Sequence, residues 1–520
     1  MSSSDAISPT AAESSNSSQK NNTNNKESSA DPPLNVLFLH LDLGIGGAEQ
    51  LVLQLAMASQ ALGHSVTLLT TRCDADHCFA AVKPPHGALY RNVQVWGRWI
   101  PANLLGVGTA LCSHVRVLYL AMAWAWQIRQ HTPDQSQPYL IVLDVLPTPL
   151  WILRHFTNSS LLFYCHFPDK LLIRNNPLDP TNTTTATVKK SFYRTIMDAM
   201  EESCMPLADS LLVNSKFTQR TVLQEFASLK PSDLQVLYPA LDTQAMDAKP
   251  TDNNDNDDDN DPPPVVTIVS LNRYERKKKI ELILYAYALL RVQYPPNTLQ
   301  VIIAGGYDTQ NAENVEYRGE LERIAFTELK LDKQEVDFQT SISDAQRAHL
   351  LKTARCVVYT PPNEHFGIVP LEVMYAGTPV IACASGGPLE SIVDGETGFL
   401  CDPPTPQTFA NAINVLLVAP AKAQEMGQAG RKHARIHFGT ERLQREWASL
   451  TQQAFKRGQQ RVCQKEPLPI MVRLVIYFLE CILAMVVCLW LTRMLRHTGW
   501  IDSQESILGS MRRKMQSDEL

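Results

Sequence analysis

The chain has no C-x-x-C pair, no surplus of positive charge and no apolar run within residues 1–33. Its 11 cysteines are scattered over 520 residues, so neither a disulfide framework nor a paired-thiol zinc motif organises it. The nearest grouping, Cys73, His77 and Cys78, falls short of the ligand set of a structural zinc site. Scattered free thiols fit a reducing compartment. With 47 basic against 53 acidic residues, the basic excess of a nucleic-acid binder is missing, and no nucleic-acid partner is expected. Residues 1–33 are Ser, Asn, Lys and Pro with almost nothing to bury. They read as a disordered head rather than a signal peptide, so the next domain is expected to start in the cytosol. The acceptor patterns at Asn158 and Asn182 would then stay unmodified.

What is present is an α/β pattern that starts twice. Asn35 to Leu41 is a short buried strand, Asp42 to Gly47 a loop, Ala48 to Leu62 a helix capped by Gly63, and Ser65 to Thr71 the next strand. Further strands are expected at Tyr139 to Asp144, Leu161 to Cys165 and Ser210 to Asn214. Residues 251–264, rich in Asp with a closing Pro run, cannot pack and read as a solvated linker. The pattern then restarts with a strand at Val265 to Leu271, a helix at Lys277 to Arg291 and a strand at Leu299 to Gly305. Strands at Cys356 to Thr360 and Pro379 to Ala382 flank a helix near Gly367 to Ala376. The expected fold class is α/β: two Rossmann-like domains, 34–250 and 265–460, facing a cleft lined by strand carboxyl ends.

Three stretches carry chemistry. Gly44, Gly46 and Gly47 sit between a strand and a helix, where small residues let backbone approach an anion. Glu49 stands where a dinucleotide fingerprint needs glycine, so that loop fits a ligand turn of another kind or a tight turn without ligand. Asn272 to Lys279 (NRYERKKK) follows the first strand of the second domain. Cations at a strand end can neutralise a diphosphate, and four of them at a helix start oppose the macrodipole unless something compensates. Glu364 to Glu372 (EHFGIVPLE) sets two glutamates either side of a helix start. Amides near Phe366, Gly367, Ile368 and Val369 can hold phosphate oxygens, Glu364 can face a reacting sugar, and Glu372 can accept from sugar or ribose hydroxyls.

Together, the E-x7-E pattern, the basic strand-end motif and the GGAE loop resemble the retaining GT-B glycosyltransferases. His40 to Glu49, Cys165 to Asp169 (CHFPD), Leu212 to Ser215, Leu237 to Pro239, Asn272 to Lys278, Ala304 to Asp308 and Tyr359 to Glu372 narrow this. They are similar to the alpha-1,3/1,6-mannosyltransferase family of dolichol-linked oligosaccharide assembly, over roughly residues 35–455. The resemblance implies alpha-1,3 and then alpha-1,6 transfer from GDP-mannose, with retention, to a mannosyl-chitobiosyl-diphosphodolichol acceptor in N-glycan precursor synthesis. It implies donor contacts from Gly46, Gly47, Arg273, Lys278, Phe366, Gly367, Ile368, Val369 and Glu372, and catalytic roles for Glu364 and His166. Lys279 stands where many relatives carry Asn, which leaves Lys277 and Lys278 both open as the key cation. No metal ligand and no cofactor beyond the donor is implied. The competing readings are a GT-B transferase for another nucleotide sugar and a non-catalytic membrane scaffold; intact Glu364, Glu372, Arg273 and Lys278 speak against the scaffold.

Leu474 to Thr492 is apolar for 19 residues apart from Glu480, at 1.5 Å per residue about long enough to span a bilayer. A C-terminal membrane helix is therefore expected within 468–496, followed by a tail at 497–520 that ends in Ser-Asp-Glu-Leu. The ending resembles an endoplasmic-reticulum retrieval signal. The expected location is that membrane, with the catalytic domains cytosolic and other transferases of the pathway as candidate partners. Leu104 to Gln130 reads as a core helix, with a bilayer-surface helix as its alternative.

Overall fold

The computed structural model describes residues 32–103, 109–131, 138–174, 195, 197–247 and 265–464. In chain order the strands are β1 (Asn35–Leu39), β2 (Asp42–Leu43), β3 (Ser65–Thr70), β4 (Arg72–Cys73), β5 (Val93–Val95), β6 (Tyr139–Asp144), β7 (Ser160–Cys165), β8 (Ser210–Val213) and β9 (Leu234–Val236), then β10 (Val266–Leu271), β11 (Leu299–Gly305), β12 (Val336–Thr340), β13 (Cys356–Tyr359), β14 (Val380–Cys383) and β15 (Gly398–Cys401). The first sheet runs β5-β3-β1-β6-β7-β8-β9 and the second β12-β11-β10-β13-β14-β15, with every ladder parallel. β2 and β4 form a small separate ladder.

The strand sequences explain the layering. Side chains alternate across a strand, and these strands are apolar on both faces, as parallel sheets covered by helices require. In β1, Leu37 and Leu39 join one core with Ile141, Leu143 and Phe163. Val36 and Phe38 join the opposite core with Val142, Leu162 and Tyr164. The second sheet splits the same way: Ile268, Val301 and Val358 face one core, and Val269, Ile302 and Val357 the other. The helix Thr109–His131 covers the Leu37 face through Val117, Leu120, Ala121 and Trp124, so the described part of the Leu104 to Gln130 segment packs on the core, while Leu111, Val115, Met122 and Trp126 on the same helix are exposed.

The last described helix, Thr440–Gln464, leaves the second sheet and lies against the first. Trp447 is fully buried, stacks on Phe38 with ring centroids 6.3 Å apart, and its Nε1 donates to Ser59 Oγ at 2.8 Å. Arg461 Nε donates to Asp209 Oδ1 at 2.7 Å. Gly458 lets the helix touch β7: a Cβ there would sit 2.2 Å from Ser160 Oγ and 2.6 Å from its Cα.

Two expectations are corrected. The helix expected from Lys277 runs Glu281–Arg291 instead. Arg276–Lys278 form a 3-10 turn and Lys279 has φ 50°, a left-handed conformation that breaks the helical path. The cations therefore precede the helix rather than crowd its first turn. The second correction concerns the membrane. No helix among the described residues is long and apolar enough to cross one. The added C-terminal membrane helix, and anchorage in the endoplasmic-reticulum membrane with it, are unsupported. Of the long described helices, Thr109–His131 is broken by Arg116 and Arg129, and Thr440–Gln464 carries Glu441, Arg445, Lys456, Arg457 and Arg461. Residues 1–31 of the expected head (1–33), the acidic segment 251–264, Asn182, and residues 468–496 and 497–520 lie outside the described residues.

Gly458→Ala is expected to destabilise the protein by about 1–3 kcal/mol, the usual range for overpacking. Ser160→Gly, which clears the contacting side chain, is expected to recover part of that loss. Melting temperatures of the two single variants and the double variant check it.

Candidate active site

Parallel sheets place all their strand carboxyl ends on one edge, and the residues just past those ends build the site. In the first sheet β1, β6 and β7 are neighbours. His40 follows β1, Asp144 ends β6 and His166 follows β7. His40 Nδ1 donates to Asp144 Oδ1 at 2.7 Å, and His166 Nε2 to Asp144 Oδ2 at 3.1 Å. Glu49 Oε1 lies 3.8 Å from His40 Nε2. Burial disfavours charge on His40, but Asp144 and Glu49 outweigh it and hold the imidazole up to about 10. Burial likewise works against the Asp144 carboxylate, yet His40 and His166 hold it down to about 2. Glu49 also reaches back over the glycine loop: a Cβ on Gly46 would meet its Oε2 at 2.4 Å. Gly46, which has no side chain to cap with, is the N-cap of the helix Gly47–Ala61, and the Glu49 carboxylate accepts from its own amide in the first turn.

In the second sheet the basic loop follows β10 and the Glu364 loop follows β13. Lys278 is buried, and its Nζ donates to Glu364 Oε2 at 2.5 Å. Tyr359 Oη donates to the same oxygen at 3.1 Å. Burial raises a carboxyl's pKa, but Lys278 overrides it and keeps Glu364 below the usual carboxylate value. Lys277 and Arg273 are exposed and share Glu275, at 3.0 and 3.2 Å. Of the two lysines left open by the sequence, Lys278 is the one brought to Glu364. Gly367 caps the helix Ile368–Ala376 at φ 81°, ψ 85°, a conformation that favours glycine. Phe366 is buried beneath it. Glu372, on the first turns of that helix, is ion-paired with Arg347 from the helix Asp344–Thr353.

The two edges meet. Phe167 stacks on His365 with centroids 3.5 Å apart and planes 8° from parallel. Burial pushes the His365 pKa down to about 4, so the ring in that stack is neutral near pH 7. Ser215 Oγ donates to the His365 carbonyl at 2.5 Å. Glu390 accepts from the amides of Lys216 and Phe217, at 2.8 and 2.6 Å, and from Tyr238 Oη at 3.0 Å. A second-sheet carboxylate thus sits at the N-terminus of a first-sheet helix, where the helix dipole favours it. Lys278, Glu364, Phe366, Gly367, Ile368, Val369 and Glu372 therefore share one edge. His166 joins it through its neighbour Phe167, and the Gly46–Gly47 loop is linked to His166 through Glu49, His40 and Asp144. Arg273 is more exposed, at 65 %, but lies near enough to Tyr359, the hydrogen-bond donor to Glu364, to act on it electrostatically. Sequence reasoning missed Asp144, Arg347 and Glu390 and gave His40 no role of its own. Each lies at a strand end or helix start, but no short spacing ties it to its partner. Among the described residues no group of His, Cys, Asp or Glu is arranged to hold a metal ion.

Two facing sheets with cations, carboxylates and an uncapped helix start at their opposed edges define a GT-B glycosyltransferase. Comparison with known proteins agrees. The family Glycosyltransferase Family 4 matches residues 45–245, and Glycosyl transferases group 1 matches residues 252–433. The human alpha-1,3/1,6-mannosyltransferase ALG2 is 39 % identical over 421 residues, covering 80 % of this chain and 95 % of the relative. The Rhizomucor pusillus protein of that name is 38 % identical over 426 residues, covering 78 % and 88 %. Among solved structures, sucrose-phosphate synthase from Thermosynechococcus elongatus superposes with a TM-score of 0.59 at 21 % identity, over 81 % of this chain and 99 % of that one. Anabaena HepE in complex with UDP and glucose gives 0.54 at 19 % identity, over 81 % and 99 %; both likenesses speak to fold alone. The chain belongs to the alpha-1,3/1,6-mannosyltransferase family. It is a GDP-mannose-dependent glycosyltransferase.

The His40 pair predicts a pH dependence. Its folded pKa, near 10, lies above the unfolded value near 6.5, so folding takes up a proton between the two. The stability it contributes is full below pH 6.5 and is lost as pH rises toward 10. Asp144 is ionised in both states across that window and adds no slope there. Against His40→Gln, wild type is expected to lose its stability advantage progressively from pH 6.5 to 9.5; calorimetric melting of both proteins over that range measures it.

Proposed function

We propose that the enzyme adds two mannoses in succession, first alpha-1,3 and then alpha-1,6. The acceptor is a mannosyl-chitobiosyl-diphosphodolichol in N-glycan precursor synthesis, and the donor's anomeric configuration is retained. The observation that carries the reading is the Lys278–Glu364 pair at the E-x7-E loop, set against the first-domain edge by the Phe167–His365 stack. The names of relatives at 38–39 % identity supply the linkages. An ammonium has three donors. Lys278 spends one on Glu364 and offers the others to the donor diphosphate, beside Arg273. Amides from Phe366 to Val369, with those of Gly46 and Gly47, bind phosphate oxygens. Glu364, kept ionised, accepts from hydroxyls of the transferred mannose. Glu372, oriented by Arg347, accepts from the ribose. His166 faces the reacting sugar from the first domain.

The chemistry is front-face displacement. The glycosidic oxygen of the leaving diphosphate takes charge as its bond to the anomeric carbon breaks. The acceptor hydroxyl attacks from the same face and passes its proton to that diphosphate. The protein contributes positioning and charge stabilisation.

With GDP-mannose and a lipid-diphosphate carrying two N-acetylglucosamines and one mannose, wild type is expected to add two hexose masses. Glu364→Ala and Lys278→Ala are each expected to lower the rate by about 100-fold or more, the scale of losing one electrostatic contact at a reacting centre. Product mass and anomeric configuration by NMR check both. No addition by folded wild type would remove the acceptor assignment, and an inverted product would remove retention.

A further inference from the structure

The mechanism above uses His166 but not the groups that hold it. Asp144 is almost wholly buried, 5 % exposed, and carries an imidazole on each oxygen: His40 at 2.7 Å and His166 at 3.1 Å. An ionised carboxylate only accepts hydrogen bonds, so each facing nitrogen must bring a proton. His40 is 3 % exposed and has a carboxylate at both ends, Asp144 on Nδ1 and Glu49 on Nε2. Its charge is thereby fixed, and it clamps Asp144 from the side away from His166. The three residues come from the ends of adjacent strands β1, β6 and β7, on backbone tied by parallel ladders, so their spacing cannot drift.

We propose that Asp144, backed by His40 and Glu49, is a positioning residue that fixes His166 with its proton on Nε2 and turns Nδ1 to the reacting sugar. The ring then presents one defined lone pair instead of exchanging tautomers. The same chain reaches the Gly46 loop through Glu49, so the ring that meets the sugar and the loop expected at the phosphates are held by one set of charges. This rests on the reading of His166 as a group at the reacting sugar.

The test uses the full chain with Asp144→Asn, His166→Ala and the double variant, and 15N NMR of histidine-labelled protein. An asparagine can either accept from or donate to Nε2, so the tautomer preference is lost. Asp144→Asn is expected to lower kcat by about 10- to 1,000-fold, less than the roughly 10⁴-fold lost when a general-base histidine loses its orienting carboxylate, because here the leaving diphosphate takes the proton, with KM for GDP-mannose within about threefold of wild type. In the His166→Ala background the same change is expected to cost almost nothing further, because it acts through a ring no longer there. Wild-type spectra should show the Nε2–H form of His166, and Asp144→Asn spectra a mixture. Should Asp144→Asn fold poorly, His40→Gln carries the same test, with a smaller loss of kcat and the same non-additivity. A wild-type Nδ1–H form, or losses that multiply in the double variant, would overturn the proposal. If His166→Ala transfers mannose at the wild-type rate, the role of His166 at the sugar fails instead, and the tautomer spectra still decide whether Asp144 orients it.

Discussion

A parallel sheet has one chemically useful edge, and this protein is arranged around bringing two such edges together. All first-sheet ladders run the same way, so His40, Asp144, His166 and Ser215 emerge side by side. The second sheet does the same for Lys278 and Glu364. Neither edge is complete alone. The contact between them is polar as well as stacked: Glu390 on two amides and a tyrosine, Ser215 on the His365 carbonyl, Phe167 on the His365 ring. Interfaces of this kind are suited to opening, because hydrogen bonds released to water are replaced there at small net cost. The flat, neutral His365 ring adds dispersion without adding a buried charge.

Much of the fold was legible in the sequence because it depends on short-range pattern. Runs such as NVLFLHL, YLIVLD and LQVIIAG announce doubly covered strands, and their boundaries fall within a residue or two of those observed. The helix after NRYERKKK begins four residues late because Lys279 adopts a left-handed conformation that composition does not reveal. The membrane helix expected from an apolar run has no counterpart among the described residues. Lys278 and Glu364 could be named as candidates, but not as partners, since 86 residues separate them. Asp144 closes an ordinary buried strand, and His40 was visible only as part of the GGAE stretch. Their pairing spans 104 residues and exists only because β1 and β6 are adjacent, with β7 bringing His166 alongside. Arg347 and Glu390 stayed hidden for the same reason.

The pairing of Lys278 with Glu364 changes how the site's charges should be understood. A cation at that burial would be costly alone, and Glu364 offsets the cost. The reverse holds too: burial would push Glu364 toward its neutral form, and Lys278 keeps it ionised. The group assigned to the diphosphate and the group assigned to the sugar therefore set each other's charge. Removing Lys278 leaves a half-buried carboxyl free to take up a proton, which would convert the proposed acceptor of sugar hydroxyls into a donor. Removing Glu364 leaves an ammonium whose charge the arriving diphosphate alone must balance. With the roles proposed above, either loss is felt at both ends of the bond being broken, so the energetic effect of one substitution cannot be credited to one role. Arg273 and Lys277 repeat the arrangement around Glu275, which is itself largely covered, but both cations are exposed and solvent screening weakens each pair. On the assignment proposed above, the donor diphosphate meets cations already shared with carboxylates. It must be recognised by directed donors left over on those cations and on the backbone, rather than by a bare field of positive charge.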